Sequence, residues 1–181
     1  MNDDIQQLVF FVIVALIAWL WYRRHQERER LKREQYLAEK GVVDEERQRA
    51  LDRSIPGDIQ RSIRDFRSGV FSGEEMSPLA YIGYRVGITN GLSIGDRQRR
   101  LGYCFYADIP DDLPDKYASW GKPATFRRYE RMQNHLSMLA DQRRRLNNYR
   151  HAVGHWDEDR NWFRAEYEAT AAKYRRFGYI D

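Results

Sequence analysis

Residues 126–167 read FRRYERMQNHLSMLADQRRRLNNYRHAVGHWDEDRNWFRAEY, and the spacing of their apolar side chains decides the fold class. Behind Pro123, Phe126, Tyr129, Met132, Leu136, Leu139 and Leu146 recur at intervals that line up one face of an α-helix. Tyr149, Val153, Trp156, Phe163 and Tyr167 make a second stripe after Asn147-Asn148. Two long helices joined by a short polar turn pack antiparallel, so the stretch predicts an αα-hairpin. No segment of the chain carries the alternation of a strand, and the expected fold is all-α.

Upstream, Ser93 with Asp96 resembles a capping box for a helix to about Tyr106, and Leu79, Ile82 and Val86 fall on one side of a helix over 78–86. Ile59, Ile63, Phe66 and Val70 predict a further helix behind an Asp58 N-cap, closed by a turn at Ser72-Gly73. Asp108–Asp115 (DIPDDLPD) reads as an acidic, proline-punctuated loop. Residues 58–181 thus predict one helical domain of about 120 residues, enough for a modest core.

Residues 23–57 read as a charged stalk and spacer. Residues 23–40 are good helix formers, with Glu29–Arg33 and Arg30–Glu34 at i,i+4 spacing and no sustained heptad seam for a coiled coil. Gly41 predicts a stop. Asp44, Glu45 and Glu46 predict the start of a short second helix, which Pro56-Gly57 ends.

Ahead of the stalk, Ile5–Tyr22 (IQQLVFFVIVALIAWLWY) carries no charge and, as a helix, is about 27 Å long, one hydrocarbon core. Trp19, Trp21 and Tyr22 followed by Arg23 and Arg24 fit an interfacial belt, and the acidic start at Asp3 and Asp4 argues against a cleaved signal peptide. Residues 1–22 are expected to be a retained transmembrane anchor. Arg23, Arg24, Arg28, Arg30, Lys32 and Arg33 all come after it, which predicts an inner-membrane protein with its N-terminus outside and its C-terminal domain in the cytoplasm. The single cysteine, Cys104, excludes an internal disulfide and suits a reducing compartment.

The 181 residues exclude a large multidomain enzyme, and a mean hydropathy of −0.81 averages an uncharged anchor with a very polar remainder. The net charge of +4 is also uneven: after residue 115 the chain holds 14 basic side chains against 8 acidic ones. In the hairpin, Arg127, Arg128, Arg131, Arg143, Arg144, Arg145 and Arg150 are interleaved with Trp156 and Trp162, a chemistry shared by protein interfaces, nucleic-acid surfaces and anionic lipid contacts. Residues 78–105 also read as a helix-turn-helix, with Arg97 and Arg100 where base-reading side chains sit.

His151, His155 and Asp159 succeed one another at helical i,i+4 spacing and offer a metal two imidazoles and a carboxylate, the basis of a metal-dependent enzyme reading. The zincin pattern has a Glu after its first His, and here Ala152 stands there. The acidic pairs Asp111-Asp112 and Glu74-Glu75 have no Lys at nuclease spacing. Gly83, Gly87, Gly91 and Gly95 lack the Lys-Ser/Thr of a phosphate-binding loop and read as turn or packing glycines. No catalytic constellation and no cofactor is expected.

The residues Gly83, Tyr84, Val86, Gly87, Gly91, Leu92, Arg97 and Leu101, then Trp120, Gly121, Pro123, Arg127 and Asn134, then Trp156, Asp159 and Trp162, span about half the chain. In this arrangement they resemble a helical C-terminal module of assorted bacterial proteins, some near nucleic-acid-processing or defence genes. The resemblance implies a defined bacterial domain and no catalytic residue. The expectation is therefore a non-enzymatic, single-pass membrane protein whose basic domain binds a protein partner, with a membrane-tethered nucleic-acid binder as the alternative.

Overall fold

The computed structural model describes residues 2–52, 54–68, 77–108 and 119–180, with side chains from residue 16 onward. Val70, the Ser72-Gly73 turn, both acidic pairs and the loop from residue 109 onward lie outside the described residues. The chain clusters into two compact units, Met1–Glu45 and Glu46–Asp181. Among the described residues every regular element is helical, as expected.

The first unit lies in α1 (Asn2–Leu51), a single helix where the sequence predicts a stalk, a stop at Gly41 and a second helix. An interior glycine costs a helix only about 1 kcal/mol, and Gly41 lacks the positive φ with which a glycine closes one. Residues 16–39 are all exposed, and Arg30 pairs with Glu34 at 2.8 Å. Glu29 pairs with Lys32 at 2.8 Å instead of with Arg33. Among the described residues no helix is long and apolar enough to cross a membrane. The expected anchor over Ile5–Tyr22 finds no support there, and the side chains of residues 1–15 lie outside that description.

The second unit starts with the last turns of α1 and continues through α2 (Gly57–Arg67), α3 (Pro78–Tyr81), α4 (Ile94–Tyr106), α5 (Phe126–Arg143) and α6 (Arg150–Arg176). Pro56, not Asp58, precedes α2, because proline's fixed φ suits a helix entrance; Asp58 falls in the first turn and is left to bind arginines. The helix expected over 78–86 is one turn long, since Gly83 at φ 73° ends it and a side chain there would run into Ser62. The expected cap of α4 is present, with Ser93 Oγ accepting from the Asp96 N–H at 3.2 Å.

A 3₁₀ turn, Asn147–Tyr149, joins α5 to α6. Arg144 bonds Asp157 while Ser137 and Gln133 meet Arg160, so partners climb one helix as they descend the other, as in an antiparallel hairpin. Met132 and Leu136 from α5 and Phe163 from α6 are fully buried. Phe105 of α4 packs edge-on to Phe163 at 6.0 Å and lies 4.9 Å from the Tyr167 ring. The carbonyls of Tyr179 and Ile180, beyond α6, accept from the N–H groups of Phe126 and Arg127, both at 3.3 Å, which satisfies donors that the first turn of α5 leaves open.

Candidate functional site

The arginines nominated from the sequence divide into a buried group and an exposed group. Arg97 and Arg100, which the helix-turn-helix reading turns outward to bases, are 2% and 5% exposed. Arg97 Nε donates to Asp159 Oδ2 at 2.7 Å, its Nη2 to Glu158 Oε2 at 2.6 Å and its Nη1 to the Leu92 carbonyl at 3.0 Å. Arg100 donates to the Ile82 carbonyl and, at 2.9 Å, to Asp58. The second of the two supposed DNA-reading helices, α4, therefore spends its arginines on tying α2, α3 and α6 together.

Arg128 is buried as well, against the expectation of a contact surface. Its guanidinium donates to the carbonyls of Gly121 at 2.6 Å, Cys104 at 2.8 Å and Ala107 at 2.9 Å. Arg127 bonds the Ser119 carbonyl at 2.9 Å, Trp156 is buried, and Trp162 is half-buried with its ring edge-on to Tyr167. Burial pushes the neighbouring Cys104 thiol up to about 11, so the one cysteine is inert rather than nucleophilic.

The metal reading loses its geometry in the same cluster. Asp159 is fully buried and its Oδ2 accepts from Tyr84 at 2.6 Å as well as from Arg97. His155 Nδ1 accepts from the Gly87 N–H at 3.2 Å, and His151 is exposed. No group of three His, Cys, Asp or Glu side chains able to hold a metal occurs among the described residues. Helical spacing puts His151, His155 and Asp159 on one side of α6, but the tertiary contacts turn the carboxylate toward Arg97. Burial raises the Asp159 carboxyl above its usual range despite Arg97 and Tyr84, and burial followed by the charge of Asp159 lifts the Tyr84 hydroxyl well above its own.

The exposed group gathers where α5 turns into α6. Arg145 and Arg150 are exposed, Arg131 is exposed further back on α5, and Leu146 and Met138 are 48% and 42% exposed. Arg143 lies over the rings of Tyr149 and Trp156 at 5.3 and 5.8 Å, which holds a planar cation at the surface. Arg144 is bound by Asp157 at 2.9 Å and by Asp141 at 3.3 Å. Asp157 and Glu158 were not singled out from the sequence, although an acidic run at 157–159 facing an arginine cluster is a legible signal of such pairing. The tip is thus a mixed surface of arginines, carboxylates and exposed apolar side chains.

In α1, Trp19, Trp21, Tyr22, Arg23 and Arg24 are exposed, with Arg23 5.6 Å from the Trp19 ring and Trp21 stacked on His25 at 5.6 Å. Comparison with known proteins adds no relative: no family model, no curated protein and no solved structure matches this chain.

Proposed function

We propose that this chain is a non-enzymatic, single-pass membrane protein whose helical C-terminal domain docks a protein partner through the tip of the α5–α6 hairpin. The observation that carries the reading is the exposure of Leu16, Ile17, Trp19, Leu20, Trp21 and Tyr22 all the way round one helix. In water a helix exposing large apolar side chains on every side is unfavourable, and a lipid bilayer is the solvent that suits it. These residues close the uncharged run that begins at Ile5, and the basic residues from Arg23 to Arg33 favour the cytoplasmic side for the C-terminal domain.

The composition of the tip favours a protein partner over a nucleic acid. Arg143 on its aromatic shelf, Leu146 and Met138 are typical of protein interfaces, whereas a polyanion would meet Asp141 and Asp157 there. Burial of Arg97, Arg100 and Arg128 withdraws three of the cations on which the nucleic-acid alternative depends. The test is affinity capture of the full chain from membranes solubilised in mild detergent, with the exposed pair Arg145→Glu and Leu146→Ser as the comparison. A stoichiometric protein that survives nuclease treatment and is lost from the variant is the expected result. Release by nuclease would favour the nucleic-acid alternative, and absence of any partner, or equal capture by the variant, would overturn the docking role.

A further inference from the structure

A cavity of about 1060 Å³ opens within the C-terminal unit, walled by the last turns of α1 and by parts of α2, α3, α4, α5 and α6. Its size is at the upper end of the range of small-molecule sites. Tyr81, Tyr103, Tyr106 and Trp162 form much of its lining and give it flat, largely apolar walls.

Among the described residues the charge around this cavity is one-sided. Arg47 and Arg128 reach the same turn, Gly121–Ala124, from two directions: Arg47 Nη2 donates to the Pro123 carbonyl at 2.7 Å, and Arg128 Nη2 to the Gly121 carbonyl at 2.6 Å. Lys122 is carried by that turn, and all three cations line the cavity. Among the described residues none of the three forms an ion pair with a carboxylate. Arg99, also on the wall, differs in being neutralised by Asp58 at 2.7 Å and Asp96 at 2.8 Å. Asp108 is the one acidic residue in the lining among those described, and its charge acts on Arg128 without an ion pair or hydrogen bond between them.

Arg128 makes the imbalance costly. It is 1% exposed, every hydrogen bond it makes among the described residues ends on a neutral carbonyl oxygen, and burial pushes its pKa below the usual guanidinium value. A buried cation bonded only to dipoles is stabilised further by an anion brought beside it. A guanidinium is also suited in shape to an oxyanion.

We propose that this cavity binds a small organic anion with a flat apolar body, its oxyanion received by Arg47 and Lys122 beside the buried charge of Arg128 and its body laid against Tyr81, Tyr103 and Trp162. The site is independent of the hairpin tip and of the membrane anchor, so failure of the docking role leaves it standing.

Titration calorimetry of the full chain in nanodiscs tests it with three probes of one shape: 2-naphthoate, 2-naphthyl phosphate and the neutral 2-naphthamide. Saturable binding of at least one of the two acids, at least tenfold tighter than the amide, is expected. The double variant Arg47→Gln, Lys122→Gln is expected to weaken that binding at least tenfold. Lys122 is exposed and its side-chain ammonium makes no hydrogen bond among the described residues, so Lys122→Gln alone keeps the test decisive should the double variant melt early; a loss of threefold or more is expected of it. Binding of neither acid, equal binding of the amide, or unchanged affinity in Lys122→Gln would overturn the proposal.

Discussion

At position 155 the imidazole has a fixed task, since Nδ1 accepts the Gly87 N–H only while that nitrogen carries no proton. Burial first, and the nearby Arg97 charge second, lower its pKa below the ordinary 6.5. As pH falls, the unfolded chain therefore takes up a proton before the folded one. The stability this histidine contributes is present above pH 6.5 and is lost as pH drops through the lower, folded value. His155→Gln, which cannot titrate, is expected to flatten the change in Tm between about pH 7.5 and about pH 5.5; identical slopes in the two proteins would contradict the assignment. Nothing in the spacing of His155 reveals this role, because its partner Gly87 lies in a distant turn. Arg97 and Asp159 are similar: 62 residues separate them, and only packing of α4 on α6 makes them a buried pair. Removing one partner of such a pair typically costs about 3–5 kcal/mol, through the charge left behind.

Among the elements, α4 and the hairpin were legible because each carries a strong local signal. Ser93 and Asp96 mark the start of α4, and the apolar stripes of α5 and α6 survive as Tyr129, Met132 and Leu136 facing Phe163. Leu146 is the exception: it continues the stripe but lies past the end of α5, where there is no facing helix to bury it. Thr125 caps α5, accepting from the Arg128 N–H at 3.3 Å while donating to the Lys122 carbonyl at 2.8 Å. Loss of such a cap costs about 1 kcal/mol, up to about 2 in a folded protein. Thr125→Ala is expected to lower the urea-unfolding free energy by about that amount, and a midpoint equal to the parent's would show that the cap contributes nothing. Helix ends were less legible. The stop expected at Gly41 does not occur, because a glycine ends a helix reliably only where the chain also turns into the left-handed conformation. At Gly83 it does, and there α3 ends after one turn.

For the whole molecule, the net charge of +4 belongs to the C-terminal unit, since residues 1–45 hold 7 basic side chains against 8 acidic ones. Of the basic side chains after residue 115, Arg128 is turned inward and Arg144 is paired at the surface, while Lys122, Arg131, Arg145, Arg150, Arg164, Arg175 and Arg176 are exposed. The proposed anchor makes a prediction at this scale: the full chain should stay in the membrane fraction through an alkaline carbonate wash, and a chain lacking residues 2–22 should be released. Release of the full chain would remove the membrane from the functional reading. The all-α fold, the antiparallel hairpin and the uncharged N-terminal run leading into arginines were determined by the sequence itself, because apolar period, turn residues and charge runs act over a few neighbouring positions. Which arginines remain on the surface was decided only by the tertiary structure. A guanidinium is equally at home on a solvent-facing helix or tied to buried carbonyls and carboxylates, and the choice depends on partners that distant helices bring to it. The cavity belongs to the same class, since no single segment encodes a space that several others enclose.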